Sequence, residues 1–271
     1  MLSLLMRDIG FNTLVKSPSQ PELLLKRLEE IGVSLEQTGK ALALIGLGSV
    51  GTELERLDEY SDLDFFAIVQ DGFKAEFLTN LSWLTKLQTV TYAFQNTRDG
   101  FKLLYADGVL CEFAVFELYE LQSASFTAGR IIWKAAHIPD AIAQSCVPLS
   151  VAEPRFEHNL GEALTNLYVG VQRYRRGEKL IAARFVQQYA VDHVLELAER
   201  VEAPQNAMRD LFNRERRLEQ RLPVLAGQLE QFVQGYDHTP ASALAILAWL
   251  ETHFEVNVGM ARAIRDVIDA E

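Results

Sequence analysis

The segment between Ala41 and Val69 constrains the fold of this chain more than any other part of its sequence. It opens with an apolar run of strand length, Ala41 to Leu47, and closes with a second one, Phe65 to Val69. Gly48-Ser49 directly follows the first run, and Asp62-Leu63-Asp64 leads into the second. Side chains two apart on a strand share a face and lie about 6.6 Å apart along it, so both aspartates are expected on one side of a sheet.

The two aspartates have the chemistry of a divalent-metal site. Carboxylates at this spacing can converge on one or two hard cations, which prefer oxygen ligands. Gly48 and Ser49, at the end of a neighbouring strand, are expected to offer backbone N–H groups to a phosphate. The plainer alternatives are a solvated strand start for the aspartates and an ordinary turn for Gly48-Ser49. The turn, the carboxylates and both apolar strands together favour phosphoryl or nucleotidyl transfer.

This arrangement resembles the signature of the polymerase-beta-type nucleotidyltransferase superfamily. The sequence SVGTELERLDEYSDLDFF, which begins at Ser49, is most similar to the antibiotic nucleotidyltransferases of the lincosamide and aminoglycoside type. One departure concerns the triphosphate. Many such relatives carry an arginine two or three residues after the serine, where this chain has Gly51 and Thr52. Arg56, later in the loop, is the candidate replacement, and the alternative is that the triphosphate is held from elsewhere.

The resemblance also implies a third carboxylate on a neighbouring strand, and Glu112 is the candidate. Glu112 interrupts the apolar run Val109 to Phe116, and an isolated buried carboxylate is costly unless it is paired or metal-bound. A strand-edge glutamate that faces water is the alternative. Asp107 competes for the role, although Gly108 beside it is typical of a turn. Three carboxylates on one face are expected to repel one another when no cation is present.

The sequence pattern predicts an α+β chain, in which a mixed-sheet nucleotidyltransferase domain precedes an all-α helical bundle domain. In the first half we expect helices over 21–31 and 75–87, and strands over 41–47, 62–69, 89–95, 101–105 and 109–116. A linker is expected at 148–154, with domain boundaries at 1–147 and 156–271. In the second half we expect helices over 156–175, 178–200, 206–221, 225–232, 240–254 and 261–268.

Composition limits the partners of this chain. Lys and Arg number 26 against 37 Asp and Glu, a formal charge of −11, which disfavours a broad nucleic-acid surface. Two cysteines form no disulfide framework, so a reducing cytoplasm is expected. Residues 1–6 are too short for a secretory signal, and no apolar run approaches the roughly 20 residues of a membrane span. A homodimer is compatible with these features.

Basic residues crowd the end of the predicted helix 156–175. The resemblance places this region near the nucleotide, and Lys179 is the nucleotide-binding candidate there; the alternative is a helix C-terminus with cations favoured by the helix dipole. A second basic group is expected to form a solvated face: Arg214, Arg216, Arg217 and Arg221. The five histidines lack metal-ligand spacing, and Cys111 is expected to be a small buried hydrophobe.

The resemblance implies an enzyme that moves a nucleoside monophosphate, with AMP from ATP as the first expectation, to a hydroxyl of a small antibiotic-like acceptor lying between the two domains. Asp62, Asp64 and Glu112 would hold Mg²⁺, expected as two ions, and Gly48 and Ser49 would hold the β and γ phosphates. Glu112 would help bind the second ion or take the acceptor proton. Two other hypotheses stay open: a non-catalytic nucleotide-sensing or partner-binding module, and an enzyme that modifies a protein or RNA.

Overall fold

The structure is a computed structural model that describes residues 18–147, 155–205, 209–210 and 213–270. The chain divides into two compact units, Met1–Leu149 and Ser150–Glu271. The first unit holds a six-stranded mixed sheet with helices, and the second is helical throughout its described elements. The predicted α+β class is therefore confirmed. None of the helices in the described part of the chain has the length and apolar character that crossing a membrane requires.

The first unit is built on one sheet with the strand order β3-β4-β5-β2-β1-β6. Its strands are β1 Ala41–Gly46, β2 Leu63–Val69, β3 Val90–Thr97, β4 Gly100–Tyr105, β5 Leu110–Glu117 and β6 Arg130–Lys134. β2 and β5 are parallel, while every other neighbouring pair is antiparallel. The sequence pattern predicts the first five strands and misses β6, because RIIWK is short and begins and ends with a cation.

The helices of this unit pack on one face of the sheet. They are α1 Gln20–Glu36, α2 Lys74–Thr79 and α3 Ser82–Thr85. The apolar stripe of α1, for example Leu28 and Ile31, forms one core with Phe65 and Phe113 of the sheet. The single helix predicted over 75–87 is wrong: Asn80 adopts an extended conformation, and its side chain accepts the Ser82 N–H at 3.0 Å, so the chain breaks there into α2 and α3.

The opposite face of the sheet is only partly covered. A second core joins Ile45 and Ile68 with Phe126 and Ile142 from the region after β5. Because side chains alternate along a strand, Asp64 belongs to the same face as Ile68. The site described below lies on this face, beyond the edge of the second core.

The second unit has its own core, which contains no residue of the first unit. Its helices are α4 Phe156–Arg175, α5 Lys179–Arg184, α6 Val191–Ala198, α7 Leu218–Arg221, α8 Pro223–Phe232, α9 Thr239–His253 and α10 Val258–Asp269. A π-helical stretch, Phe185–Ala190, joins α5 to α6, so the predicted inner helix over 178–200 is continuous but widened in its middle. A Cβ added at Gly170 of α4 would lie 2.5 Å from Val186 Cγ2, so the π-helical stretch packs closely on α4.

The helix predicted over 206–221 is wrong for most of its described residues, since only Leu218–Arg221 is helical. Residues 206–208 and 211–212 lie outside the described part, as does the predicted linker at 148–154. Two side chains accept hydrogen bonds from backbone N–H groups before α7. The Asp210 carboxylate accepts from the Asn213 N–H at 2.9 Å, and the Asn213 amide oxygen accepts from the Glu215 N–H at 3.0 Å. Local bonds of this kind compete with helix formation.

Candidate metal and nucleotide site

Parallel pairing of β2 with β5 brings the predicted carboxylates together. Asp64 and Glu112 are register partners across this pair, on strands that lie about 4.8 Å apart. Asp62 directly precedes β2 and, two residues from Asp64, shares its face. All three residues are partly exposed. The sheet therefore gathers three carboxylates on its open face.

A lysine that the sequence analysis did not single out joins these carboxylates. Lys102 of β4 is the register partner of Glu112, and its Nζ lies 2.9 Å from Glu112 Oε2. Asn96 of β3 donates to the other oxygen, Oε1, at 2.9 Å. The hydrogen bond and charge of Glu112 raise the pKa of Lys102, and the charges of Asp62 and Asp64 add to this. The repulsion expected among the carboxylates is therefore moderated by an ammonium group.

A signal for Lys102 was present in the sequence. Lys102 interrupts the apolar run of its strand just as Glu112 interrupts the next one, and the turn at residues 106–108 sets the register between these two strands. Counting outward from that turn brings Lys102 towards the strand that carries Glu112. Asn96 gives no comparable signal, because its neighbours at the end of β3 are also polar.

The Gly48–Val50 turn lies beside Asp64. Leu47 N–H donates to the Asp64 carbonyl at 2.8 Å, which fixes the start of the turn against β2. Gly48 has a φ of +53°, and a Cβ added there would lie 3.7 Å from Asp64 Oδ2. A Cβ on Gly51 would lie 2.8 Å from the Gly46 carbonyl oxygen, so the chain needs glycine to fold back this tightly.

This turn keeps two backbone donors available. The N–H groups of Val50 and Gly51 bond back to Leu47 and Gly48, at 3.2 and 3.0 Å. By contrast, no acceptor among the described residues takes the N–H of Gly48 or of Ser49. Successive unpaired N–H groups of this kind suit an anion.

Two arginines flank the turn. Arg56, the candidate triphosphate ligand, forms an ion pair with Glu53 inside its own loop. Arg130 of β6 donates from Nε to the Val50 carbonyl at 3.1 Å, which brings a guanidinium against the Gly48–Val50 turn. Arg130 gives no local signal in the sequence, because only the sheet order places the start of β6 beside the end of β1.

The donor set fits a hard divalent cation. Asp62 and Asp64 offer carboxylate oxygens on one face, which Mg²⁺ prefers, and a cation of the protein itself, Lys102, is already drawn to this face. Within the described residues, however, no three side chains of His, Cys, Asp or Glu are arranged to hold a metal ion together. Glu112, the third carboxylate on this face, is instead paired with Lys102.

The alternative third carboxylate, Asp107, is engaged elsewhere. Its Oδ2 lies 2.7 Å from Nη2 of the buried Arg27 in α1, on the helix-covered side of the sheet. Cys111 is fully buried as predicted, and burial raises the pKa of its thiol, so a role as nucleophile is disfavoured.

An aromatic surface extends the open face towards the sheet edge. Phe94 of β3 is the register partner of Lys102. The ring of Tyr92 packs against the ring of Phe94, with centroids 5.6 Å apart. Both rings are exposed, at 42% and 55%. Phe94, Lys102, Glu112 and Asp64 thus form one row across four strands.

Two basic residues near the end of α4, Arg175 and Lys179, have partners within the second unit. Lys179 Nζ lies 2.9 Å from Asp237 Oδ1, whose hydrogen bond raises the pKa of Lys179. Lys179 also lines a cavity of about 320 Å³ with Tyr236. Arg175 donates to the Val267 and Ile268 carbonyls near the end of α10, which supports the structural alternative for this residue.

The solvated face expected for the second basic group is wrong for Arg221. Its side chain is 3% exposed and pairs with Glu199 at 2.8 Å. Arg217 is also largely buried, at 12% exposed. Arg214 and Arg216 are 45% and 55% exposed and pair with Glu196 and Asp210. The ion pairs of Arg214 and Arg221 tie residues 214–221 to the C-terminal end of α6.

Comparison with known proteins establishes no family for this chain. No protein-family model matches it, and no curated protein matches it. An aminoglycoside 6-adenyltransferase from Bacillus subtilis is similar at 14% identity with a TM-score of 0.32, over 94% of this chain and 93% of that one. A CCA-adding enzyme of Thermotoga maritima, solved with tRNA, is similar at 11% identity with a TM-score of 0.31, over 92% and 72%.

Proposed function

We propose that this chain is a nucleotidyltransferase that moves a nucleoside monophosphate from a nucleoside triphosphate, ATP first, to a hydroxyl of a small acceptor. The observation that carries the proposal is the position of Asp62 and Asp64 on one sheet face, beside a turn in which the N–H groups of Gly48 and Ser49 have no acceptor among the described residues. A carboxylate pair for a hard cation next to an anion cradle matches the needs of phosphoryl-group chemistry. The proposal extends to the acceptor, which would be a small antibiotic-like molecule.

Different residues of the site would bind different parts of the triphosphate. Asp62 and Asp64 would hold Mg²⁺, which neutralises the triphosphate and the departing pyrophosphate when bound. Gly48 and Ser49 would donate their N–H groups to the β and γ phosphates. Positions 51 and 52 carry no arginine, so Arg130, which is hydrogen-bonded to the Val50 carbonyl, would supply the positive charge for the triphosphate. Arg56 and Lys179 remain further nucleotide-binding candidates, each now paired with a carboxylate.

Glu112 would act on the acceptor side. The acceptor hydroxyl oxygen forms a bond to the α-phosphorus, the bond from that phosphorus to the pyrophosphate oxygen breaks, and the hydroxyl proton passes to Glu112. The aromatic pair Tyr92 and Phe94 lies on the same face and offers a surface for the ring of an acceptor. Positioning and charge neutralisation would supply most of the rate enhancement.

A mass-spectrometric assay tests this function. The full chain is incubated with ATP, Mg²⁺ and a panel of aminoglycosides, lincosamides, a protein fraction and RNA, with D64N as the matched inactive variant. We expect one panel member to gain the mass of one nucleoside monophosphate with release of pyrophosphate, and only with the unaltered chain. ATP binding without any transfer would instead favour the nucleotide-sensing module. That second hypothesis is supported by the occupation of both Glu112 oxygens by Lys102 and Asn96.

A further inference from the structure

We infer that Lys102 is the second cation of the site, so that the site takes up one divalent ion rather than two. This inference rests on the proposed function, because it assumes that Asp62 and Asp64 hold the divalent ion. It starts from Glu112, whose two carboxylate oxygens both have partners. Lys102 Nζ is 2.9 Å from Oε2, and Asn96 Nδ2 is 2.9 Å from Oε1. A divalent ion that approached Glu112 would be repelled by the ammonium group beside Oε2 and would share Oε1 with the amide of Asn96.

The position of Lys102 is set by the sheet rather than by a flexible loop. Lys102 and Glu112 are register partners on adjacent antiparallel strands, and Glu112 and Asp64 are register partners on the next pair. The ammonium therefore starts from a backbone position fixed relative to both carboxylates. Phe94 occupies the next place in the same row, on the far side of Lys102 from Glu112.

The charges on this face also favour one divalent ion. The three carboxylates carry three negative charges, which one ammonium and one divalent ion neutralise completely. A second divalent ion would leave two excess positive charges on the face while Lys102 stays in place, and one if Lys102 moved away, before any nucleotide arrived. In this chain a permanent charge thus takes the position that a second, exchangeable ion would occupy. The absence of a three-residue metal group among the described residues agrees with a site that relies on two carboxylates.

Mn²⁺ titration of the full chain, followed by electron paramagnetic resonance of the free ion, tests the inference without reference to activity. We expect the unaltered chain to bind one Mn²⁺. K102M, which keeps the length of the side chain and removes its charge, should bind two, and K102Q serves as a second uncharged variant if K102M folds poorly. K102R, which retains the charge, should bind one. The double variant K102M/E112Q should also return to one, because the second ion requires the freed Glu112.

Other outcomes separate this inference from the proposed function. Two Mn²⁺ ions on the unaltered chain, or one on both K102M and K102Q, would overturn the role of Lys102. D64N provides the second comparison. If D64N loses the ion while K102M still binds one, only the Lys102 inference fails. If D64N binds Mn²⁺ as tightly as the unaltered chain, the metal site itself is misplaced and the proposed function loses its basis.

Discussion

Asp64 and Glu112 face each other across the only parallel strand pair in the described sheet, although α2, α3, β3 and β4 lie between them in sequence. A parallel pair with this register keeps equivalent side chains level on the same face. The carboxylates are therefore level with each other because of the strand register and not because of their spacing along the chain.

Loss of the Asp64 charge should abolish transfer and leave the fold intact. D64N removes a charged oxygen ligand for a hard cation while keeping the size of the side chain. We expect the transfer rate to fall by at least about 10²-fold, the scale of losing one preorganised electrostatic contact. D140N is the matched control, since the Asp140 side chain is 85% exposed on the same unit. Equal turnover by D64N and the unaltered chain would refute the central assignment.

A methyl group added at Gly48 should weaken nucleotide binding, in addition to the strain that it places on the backbone. Gly48 and Gly39 both have positive φ values, +53° and +64°, so alanine at either position carries a similar strain of about 1 kcal/mol. Only at Gly48 does the new Cβ approach Asp64 Oδ2; at Gly39 nothing lies within 4 Å. We expect G48A to weaken nucleotide binding and G39A to leave it unchanged, as measured by calorimetry. Equal binding by the two variants would argue against the phosphate cradle.

Removal of the Arg130 charge should raise the KM for the nucleotide more than it lowers kcat. A charge-assisted hydrogen bond contributes roughly 1.5–3 kcal/mol, which corresponds to about 10- to 100-fold in affinity. R130Q keeps a donor for the Val50 carbonyl, so the turn itself should persist. R98Q, at a side chain that is 84% exposed, is the control for general loss of positive charge. If both variants behave alike, Arg130 has no special role in triphosphate binding.

Because the two units have separate cores, we predict two separable unfolding events. Leu28 belongs to the core of the first unit and Leu167 to that of the second, and both are fully buried. Leucine to alanine in a core costs about 2–5 kcal/mol. In scanning calorimetry, L28A should lower the temperature of one transition and L167A that of the other. A single transition that shifts equally in both variants would mean that the units unfold together.

Burial of His193 makes the second unit sensitive to mild acid. Desolvation lowers the pKa of His193 from its ordinary value of 6.5, and His158 adds to this while Glu162 and Asp192 oppose it. Below pH 6.5 the unfolded chain takes up a proton that the folded chain resists, so stability falls as pH drops through that window. H193Q should flatten this dependence, whereas H137Q, at an exposed histidine, should not. Parallel melting curves against pH for all three proteins would contradict the assignment.

Local patterns predicted most of the fold and part of the site. Apolar alternation and turn residues indicate β1 to β5, and the polar interruption at Glu112 marks a strand that faces the aspartates. The positions of Lys102 and Arg130 depend on which strands become neighbours, and strand order is not a local property. The helix predicted over 206–221 fails for a different and local reason, because the side chains of Asp210 and Asn213 accept hydrogen bonds from nearby backbone N–H groups.

The strand order also sets the sequence in which the charges of the site meet during folding. β3, β4 and β5 pair with their immediate neighbours in sequence, whereas β2 reaches β5 only after the chain between them has closed. Pairing across a short turn forms sooner than pairing that closes a long loop. We therefore expect Glu112 to meet Lys102 in the early meander and to meet Asp64 later. Like charges would then be brought together only after one of them already has a counterion, which removes an electrostatic barrier to closing the centre of the sheet.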